Sequence, residues 1–262
     1  MKKTLLIAAA ALAAGIISSQ AQPVYSQNVV GYVNQVMVGG GVFNMVCNPL
    51  SNGTNNAEQL ISSMTGGELI YLWNTSGGGY YTYSYLGQNS GLTYNWVDAG
   101  GVPIPNAALD TSVPPPVIPP GTAFFYTCAA KQTNTWTGVV VLTNSVHLLG
   151  GGVFNMVSSS LAVGGPLEFT NVVGGAVNTN INAVLQGGDL VYLWNNNGGG
   201  YFTYSYLGLN SGLTYNWVDA GGVPIPGAAP DTSVPPPVLN VGQGMFYTTA
   251  SATNWVQNLI LQ

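Results

Sequence analysis

The chain has 262 residues, 47% hydrophobic and only 4% charged, with 36 glycines, 16 prolines and a formal charge of −5. It contains no arginine and only three lysines against eight carboxylates. This excludes nucleic acid and anionic membrane as natural partners, because both are held mainly by lysine and arginine. An average domain carries about 25% charged residues, so the polar surface here must be built from Asn, Thr, Ser, Gln and Tyr. Such a surface has little charge repulsion to keep molecules apart.

In chain order, the first segment is MKKTLLIAAAALAAGIISSQAQ, with two lysines, a short apolar run from Leu5 to Ile17 and small residues around Ala21. It reads as a secretory signal peptide, residues 1–21, with no cysteine beside the cut to take a lipid. Its removal leaves Lys131 as the only strong base and moves the formal charge from −5 to about −7. No later run reaches the ~18 apolar residues of a transmembrane helix. The expected location is therefore outside the cytoplasm after bacterial export: secreted, extracellular at the cell surface, or periplasmic.

Beyond the leader, apolar runs separated by Gly, Pro, Asn and Asp clusters predict strands near 27–38, 42–49, 68–74, 80–87, 93–99, 122–128 and 137–143. LWNTSGGGYYTYSY reads as a hairpin, with Gly77 to Gly79 supplying backbone angles other residues resist. Tyr81, Tyr83 and Tyr85 alternate with Thr82 and Ser84, placing three rings on one strand face and small polar groups on the other. NAEQLISSM and NINAVLQ, each with an asparagine cap and a glycine stop, predict one short helix before Gly66 and another before Gly187. The proline-rich stretch 100–121 reads as a stiff extended crossover along the outside.

Most of this occurs twice. GGVFNMV at 40–46 recurs at 151–157, an offset of 111, and from Gly67 the offset is 121, so the second copy holds ten extra residues. From Gly67 to Thr127 roughly three-quarters of positions are identical to Gly188 to Thr248. The expected fold is all-β: two tandem homologous β-sandwich or barrel-like units, 22–145 and 146–262, each with at most one short helix. At ~120 residues each unit can bury its own core.

Chemistry-bearing residues are few. Cys47 and Cys128 are matched by Ser158 and Thr249, so both thiols are present in one unit and both absent from the other, as expected of a disulfide; two separate buried thiols are the alternative. His147 is the only histidine, with Val36 as its counterpart at an offset of 111, and no Gly-x-Ser-x-Gly accompanies it. It reads as a histidine tolerated in a strand. Neither a zinc nor an EF-hand calcium site can be written, no cofactor is implied, and the glycine triplets lack a P-loop lysine. Asp98 and Asp110 recur as Asp219 and Asp231 in turn-fixing contexts, preferred here over a glycosidase pair.

Exposed aromatic rings beside Asn and Asp form platforms for sugar rings, and both units offer them: Trp73, Tyr80, Trp96 and Asp98 in the first, Trp194, Tyr201, Trp217 and Asp219 in the second. Duplication would allow bivalent binding to an extracellular polysaccharide. Core packing is the competing reading of the four tryptophans and is favoured, since a β core needs large residues.

The succession QNVVGYVN, FNMVCNPLSNGTNN, LIYLWN, YTYSY, YNWVDAGG and PGTAFFYT resembles the uncharacterised secreted tandem β-repeat proteins of verrucomicrobial and planctomycete-type bacteria. The resemblance covers nearly the whole mature chain and implies export and a duplicated β unit, with no reaction to carry over. The function expected is that of a non-enzymatic structural or adhesive surface protein, self-assembling through edge strands at its apolar start and end. Carbohydrate binding by the aromatic platforms is the alternative, and polysaccharide degradation a third reading.

Overall fold

The computed structural model describes residues 30–105, 107, 111–141, 145–168, 181–182, 185–209, 211–228 and 233–257. The proposed leader, Asp110 and Asp231 lie outside the described residues. Unit one runs β1 (Val30–Met37), β2 (Asn44–Cys47), α1 (Ala57–Leu60), β3 (Leu69–Trp73), β4 (Tyr80–Tyr85), β5 (Trp96–Gly101), β6 (Ser112–Val113), β7 (Ala123–Thr127) and β8 (Gln132–Val139). Unit two runs β9 (Ser145–Leu149), β10 (Asn155–Val157), β11 (Gly165–Glu168), β12 (Ile181–Asn182), β13 (Leu190–Trp194) and β14 (Tyr201–Tyr206). It continues through β15 (Trp217–Gly222), β16 (Ser233–Val234), β17 (Val238–Leu239), β18 (Met245–Thr248) and β19 (Thr253–Gln257). The fold is all-β, as the spacing of apolar runs predicts.

Each unit contributes one six-stranded sheet, β2-β7-β3-β4-β5-β6 and β10-β18-β13-β14-β15-β16, and one two-stranded ribbon, β1-β8 and β9-β19. The expected hairpin is β3–β4, closed by Asn74 N–H to the Gly79 carbonyl at 2.9 Å and Gly78 N–H to the Asn74 carbonyl at 3.0 Å. Gly78 and Gly79 have φ of 73° and 81°, the left-handed region that glycine enters without steric cost. Within β5 the register against β4 slips between Tyr81 and Tyr83, where Gly100 and Gly101 at φ 93° and 90° form a bulge. A Cβ on Gly101 would lie 2.8 Å from the Tyr80 carbonyl oxygen, so this place takes only glycine.

One face of the first sheet packs on its own ribbon, α1 and the crossover, burying Met37, Ile70, Tyr85, Trp96, Phe124 and Trp136. The proline-rich crossover is more than an outer strap, since Ile104, Val113 and Ile118 from it are buried in this core. The helix is shorter than predicted. Asn56 caps it, accepting from Gln59 N–H at 3.0 Å, but the chain leaves helical geometry at Ile61 and turns inward, so that Leu60 and Ile61 are buried. The second predicted helix is absent where the structure describes it: Ile181–Asn182 is a strand pairing in parallel with β11, and residues 183–184 lie outside the described set. The last strand of unit one also begins five residues earlier than predicted, at Gln132.

The opposite faces of the two sheets pack against each other. Met45, Cys47, Ala123 and Phe125 from unit one meet Met156 and Phe246 from unit two, ringed by Tyr71, Trp73, Tyr80, Tyr192, Trp194 and Tyr201. The contact is reciprocal. Cys47 N–H donates to the Gly242 carbonyl at 2.8 Å, Ser158 N–H donates to the Gly121 carbonyl at 3.0 Å, and single bridges join Val46 to Gln243 and Thr122 to Val157. Each unit thus lends backbone groups to the other about an approximate two-fold axis.

Cys47 and Cys128 are free thiols, which corrects the expected disulfide. In the β2–β7 register Cys47 lies opposite Ala123, five residues from Cys128 along the partner strand. That is about 17 Å at ~3.3 Å per residue, far beyond the ~7 Å Cα separation a disulfide spans. They also serve different cores, Cys47 between the units and Cys128 inside unit one. Burial pushes the Cys47 thiol up to about 12, against the smaller opposing effect of its contact with Ser158.

Candidate functional site

The eight candidate platform residues fall into three structural places. Trp96 and Trp217 are buried, each tilted against a tyrosine, Tyr85 and Tyr206, with ring centroids 5.1 Å apart in both units. The Trp96 indole N–H donates to Glu58 at 3.2 Å. Trp73 and Trp194 lie between the units and act as reciprocal staples: Trp73 Nε1 donates to the Phe154 carbonyl at 2.9 Å, and Trp194 Nε1 to the Phe43 carbonyl at 2.7 Å. Tyr80 and Tyr201 pack edge-on against these indoles at 5.1 and 4.9 Å, and desolvation pushes the Tyr80 hydroxyl up to about 12.

Asp98 and Asp219 hold the bulges of β5 and β15. Asp98 accepts from Gly100 N–H at 2.8 Å and Ile104 N–H at 3.1 Å, and Asp219 accepts from Gly221 and Ile225 N–H at the same two distances. Both oxygens of each carboxylate are thereby engaged by backbone, which fixes the entry into the crossover.

Two further carboxylates carry no sequence signal beyond their place before an apolar strand. Glu68 is buried and accepts from Thr65 N–H at 2.8 Å and Gly66 N–H at 2.7 Å. Its counterpart Asp189 is fully buried, accepting from Gln186 N–H at 2.8 Å and from the Tyr247 hydroxyl. Burial raises the Tyr247 hydroxyl well above its usual range, and the Asp189 carboxylate adds to the effect. A carboxylate against a phenol could move a proton, but here the pair tethers the turn before β13 to β18 inside the protein. Among the described residues no three His, Cys, Asp or Glu side chains converge as a metal set would require.

His147 faces Trp255 across the β9–β19 ribbon, ring centroids 5.4 Å apart, with its Nε2 buried and without a hydrogen-bond partner. It lies against Gly121 of the other unit, where an added Cβ would come within 2.6 Å of its Cε1. Hydrogen bonding shows that its counterpart is Gln35 and not Val36. Val38 N–H donates to the Asn44 side chain at 2.7 Å as Gly150 N–H donates to Asn155 at 2.8 Å, so the register before the glycines shifts by one. Gln35 makes the bond His147 lacks, donating from Nε2 to the Gly242 carbonyl at 2.8 Å.

Desolvation lowers the His147 pKa below its ordinary 6.5. As pH falls through about 6.5 the unfolded chain takes up a proton before the folded one, so stability is full above that value and declines below it. His147→Gln is expected to remove this acid sensitivity and, by restoring a bond to Gly121, to add about 1 kcal/mol. Thermal midpoints of both proteins between pH 7.5 and 5 check this; equal slopes would refute it.

The solvent-facing features lie elsewhere. Of the acids and lysines whose side chains are described, Glu68, Asp98 and Asp189 are buried, leaving Glu58, Lys131 and the half-buried Asp219. The ribbons alternate strictly. Val30, Tyr32, Asn34 and Val36 face outward opposite Val139, Thr137, Thr135 and Thr133, and on the second ribbon Val146 and Leu148 face outward opposite Val256 and Asn254. Neither outer face bears a charge or a proline. Among the described residues, no helix is long and apolar enough to cross a membrane.

Compared with protein-family models, with curated proteins and with solved structures, the chain matches none.

Proposed function

We propose that the protein is an exported, non-enzymatic structural or adhesive protein of the β-repeat type its sequence resembles, associating with further copies of itself through its two ribbons. The observation that carries this reading is the uncharged apolar outer face repeated on both ribbons, where Val30 and Tyr32 are each 74% exposed and Leu148 is 79% exposed. Soluble monomers normally interrupt such faces with lysine, glutamate or proline, because flat, uncharged β surfaces template further association.

The first described strand, β1, and the last, β19, build these faces together with β8 and β9. Among the described residues, β1 and β19 are each bonded along one side only, to β8 and β9, which leaves a second edge for strand addition. A shallow hollow of about 660 Å³ beside Leu148, Thr253 and Asn254 adds a receptacle for a side chain from a neighbour. The nearly charge-free surface removes the long-range repulsion that would oppose contact.

Sedimentation velocity and negative-stain microscopy over a concentration series test the proposal. Regular oligomers or filaments are expected, and Tyr32→Lys with Leu148→Lys is expected to raise the concentration needed for assembly by at least tenfold. Monomers at every concentration would refute it, as would assembly indifferent to the lysines.

A further inference from the structure

A groove of about 450 Å³ opens on unit one between α1 and the loop that follows β4, and no ribbon residue lines it. Its size falls within the ~300–1,000 Å³ of small-ligand clefts. The floor is apolar, formed by the buried Ile61 and Tyr85 with Met64 beside them. The walls are hydrogen-bonding and almost all neutral: Gln59, Ser62, Gln88, Asn89 and Asn95, with Glu58 as the single charged group.

Two of these groups are held in place by bonds to residues behind the groove. Glu58 Oε1 accepts from the buried Trp96 indole at 3.2 Å and from Asn95 Nδ2 at 3.5 Å. The Asn95 side-chain Oδ1 in turn accepts from the Ser90 hydroxyl at 3.0 Å. Fixing both side chains beforehand lowers the entropy lost when a ligand binds.

We propose that this groove binds a neutral, hydroxyl-rich saccharide. Amides offer donor and acceptor together, which matches a sugar hydroxyl, and the Glu58 carboxylate can accept from two hydroxyls at once. The half-buried Met64 offers an apolar contact to the C–H face of a sugar ring, and the buried Ile61 and Tyr85 close the groove beneath it. Among the described residues no lysine, arginine or histidine lines the groove, so a phosphorylated or carboxylated ligand would enter without a counter-charge.

The site belongs to one unit. At the offset of 121 that runs from Gly67, Gln88 is replaced by Leu209, so the second copy lacks this amide, and the segment that carries Glu58 falls where unit two holds its ten extra residues. Binding should accordingly show one site per chain, independent of the ribbon faces.

Calorimetric titration of the purified chain with cello-, manno-, xylo- and malto-hexaose tests this, with a chitosan hexamer as the cationic comparison. At least one neutral hexaose is expected to bind at one per chain. Gln88→Ala with Asn89→Gly should weaken it at least tenfold at an unchanged thermal midpoint, because Gln88 is exposed and Asn89, at φ 77°, sits where glycine is at ease. Binding should persist in the Tyr32→Lys, Leu148→Lys protein, which separates this site from the assembly reading. Absence of binding by all four neutral sugars, two sites per chain, or affinity unchanged in the double variant would each overturn the proposal. Preference for the chitosan hexamer, abolished by Glu58→Gln, would overturn it in favour of an amine site.

Discussion

Phe246→Ala is expected to destabilise the whole chain by about 3–5 kcal/mol, and Phe125→Ala by an amount within about 1 kcal/mol of it. The two rings face each other across the approximate two-fold axis, centroids 6.4 Å apart. Phe125 packs edge-on against Phe43, Tyr80 and Trp194, and Phe246 against Phe154, Tyr201 and Trp73, so each removal strips an equivalent shell. Each ring rests on residues of both units, so the lost energy is shared between them. Chemical denaturation should therefore show one transition whose midpoint falls while its slope stays constant. Two transitions, with one unmoved, would mean that the units fold independently and that the shared core contributes little.

That shared core is also where sequence reasoning stopped short. The hairpins, the strand order of apolar runs and the duplication were legible because turn residues and alternation are local signals. Alternation puts the tyrosines of β4 on one face and Thr82 and Ser84 on the other. In the structure Tyr81, Tyr83 and Tyr85 do pack toward the unit's own core, yet Thr82 is buried too and Tyr80 joins the inter-unit core. A usable signal lay in Ala123–Thr127, an unbroken run buried at every position, which implies cover on both faces of the sheet. What covers the second face is a long-range pairing that no local pattern encodes.

The asymmetry within the axis was likewise visible only as substitutions without a meaning. Cys47 touches Ser158, and a Cβ on Gly244 would stand 2.8 Å from the Cβ of Ala123. Two copies of unit one would bring alanine against alanine at that approach, whereas the pairing of unlike units fits it. The cysteine pattern that suggested a disulfide reflects this: one thiol fills the inter-unit contact and the other a separate core, so their common absence from unit two corresponds to two different packing environments.

Asn44 is expected to be the most costly polar residue to truncate, and its role was hidden inside the repeated FNMV. Buried at the start of β2, it accepts from Val38 N–H and donates to the carbonyls of Val38, Val42 and Tyr126 at 3.0–3.2 Å. Asn155 repeats the pattern with Gly150, Val153 and Tyr247. Only a primary amide offers an acceptor and two donors in one plane at this length of side chain. Asn44→Ala would leave several backbone groups buried without partners, at about 1–3 kcal/mol for each one that water does not reach. A net loss of about 3–4 kcal/mol is expected, and Asn44→Asp should be no better, since it forfeits both donors and buries a charge. Because the residue ties the end of β1 to β2 and β7, hydrogen exchange should quicken first in the β1–β8 ribbon while β3 and β4 stay protected. The proposed assembly face sits on that ribbon, so the same substitution should weaken association out of proportion to the fraction unfolded. Exchange that quickens evenly across unit one would instead assign Asn44 to the sheet alone and leave the ribbon held by its apolar underside, Met37 and Trp136.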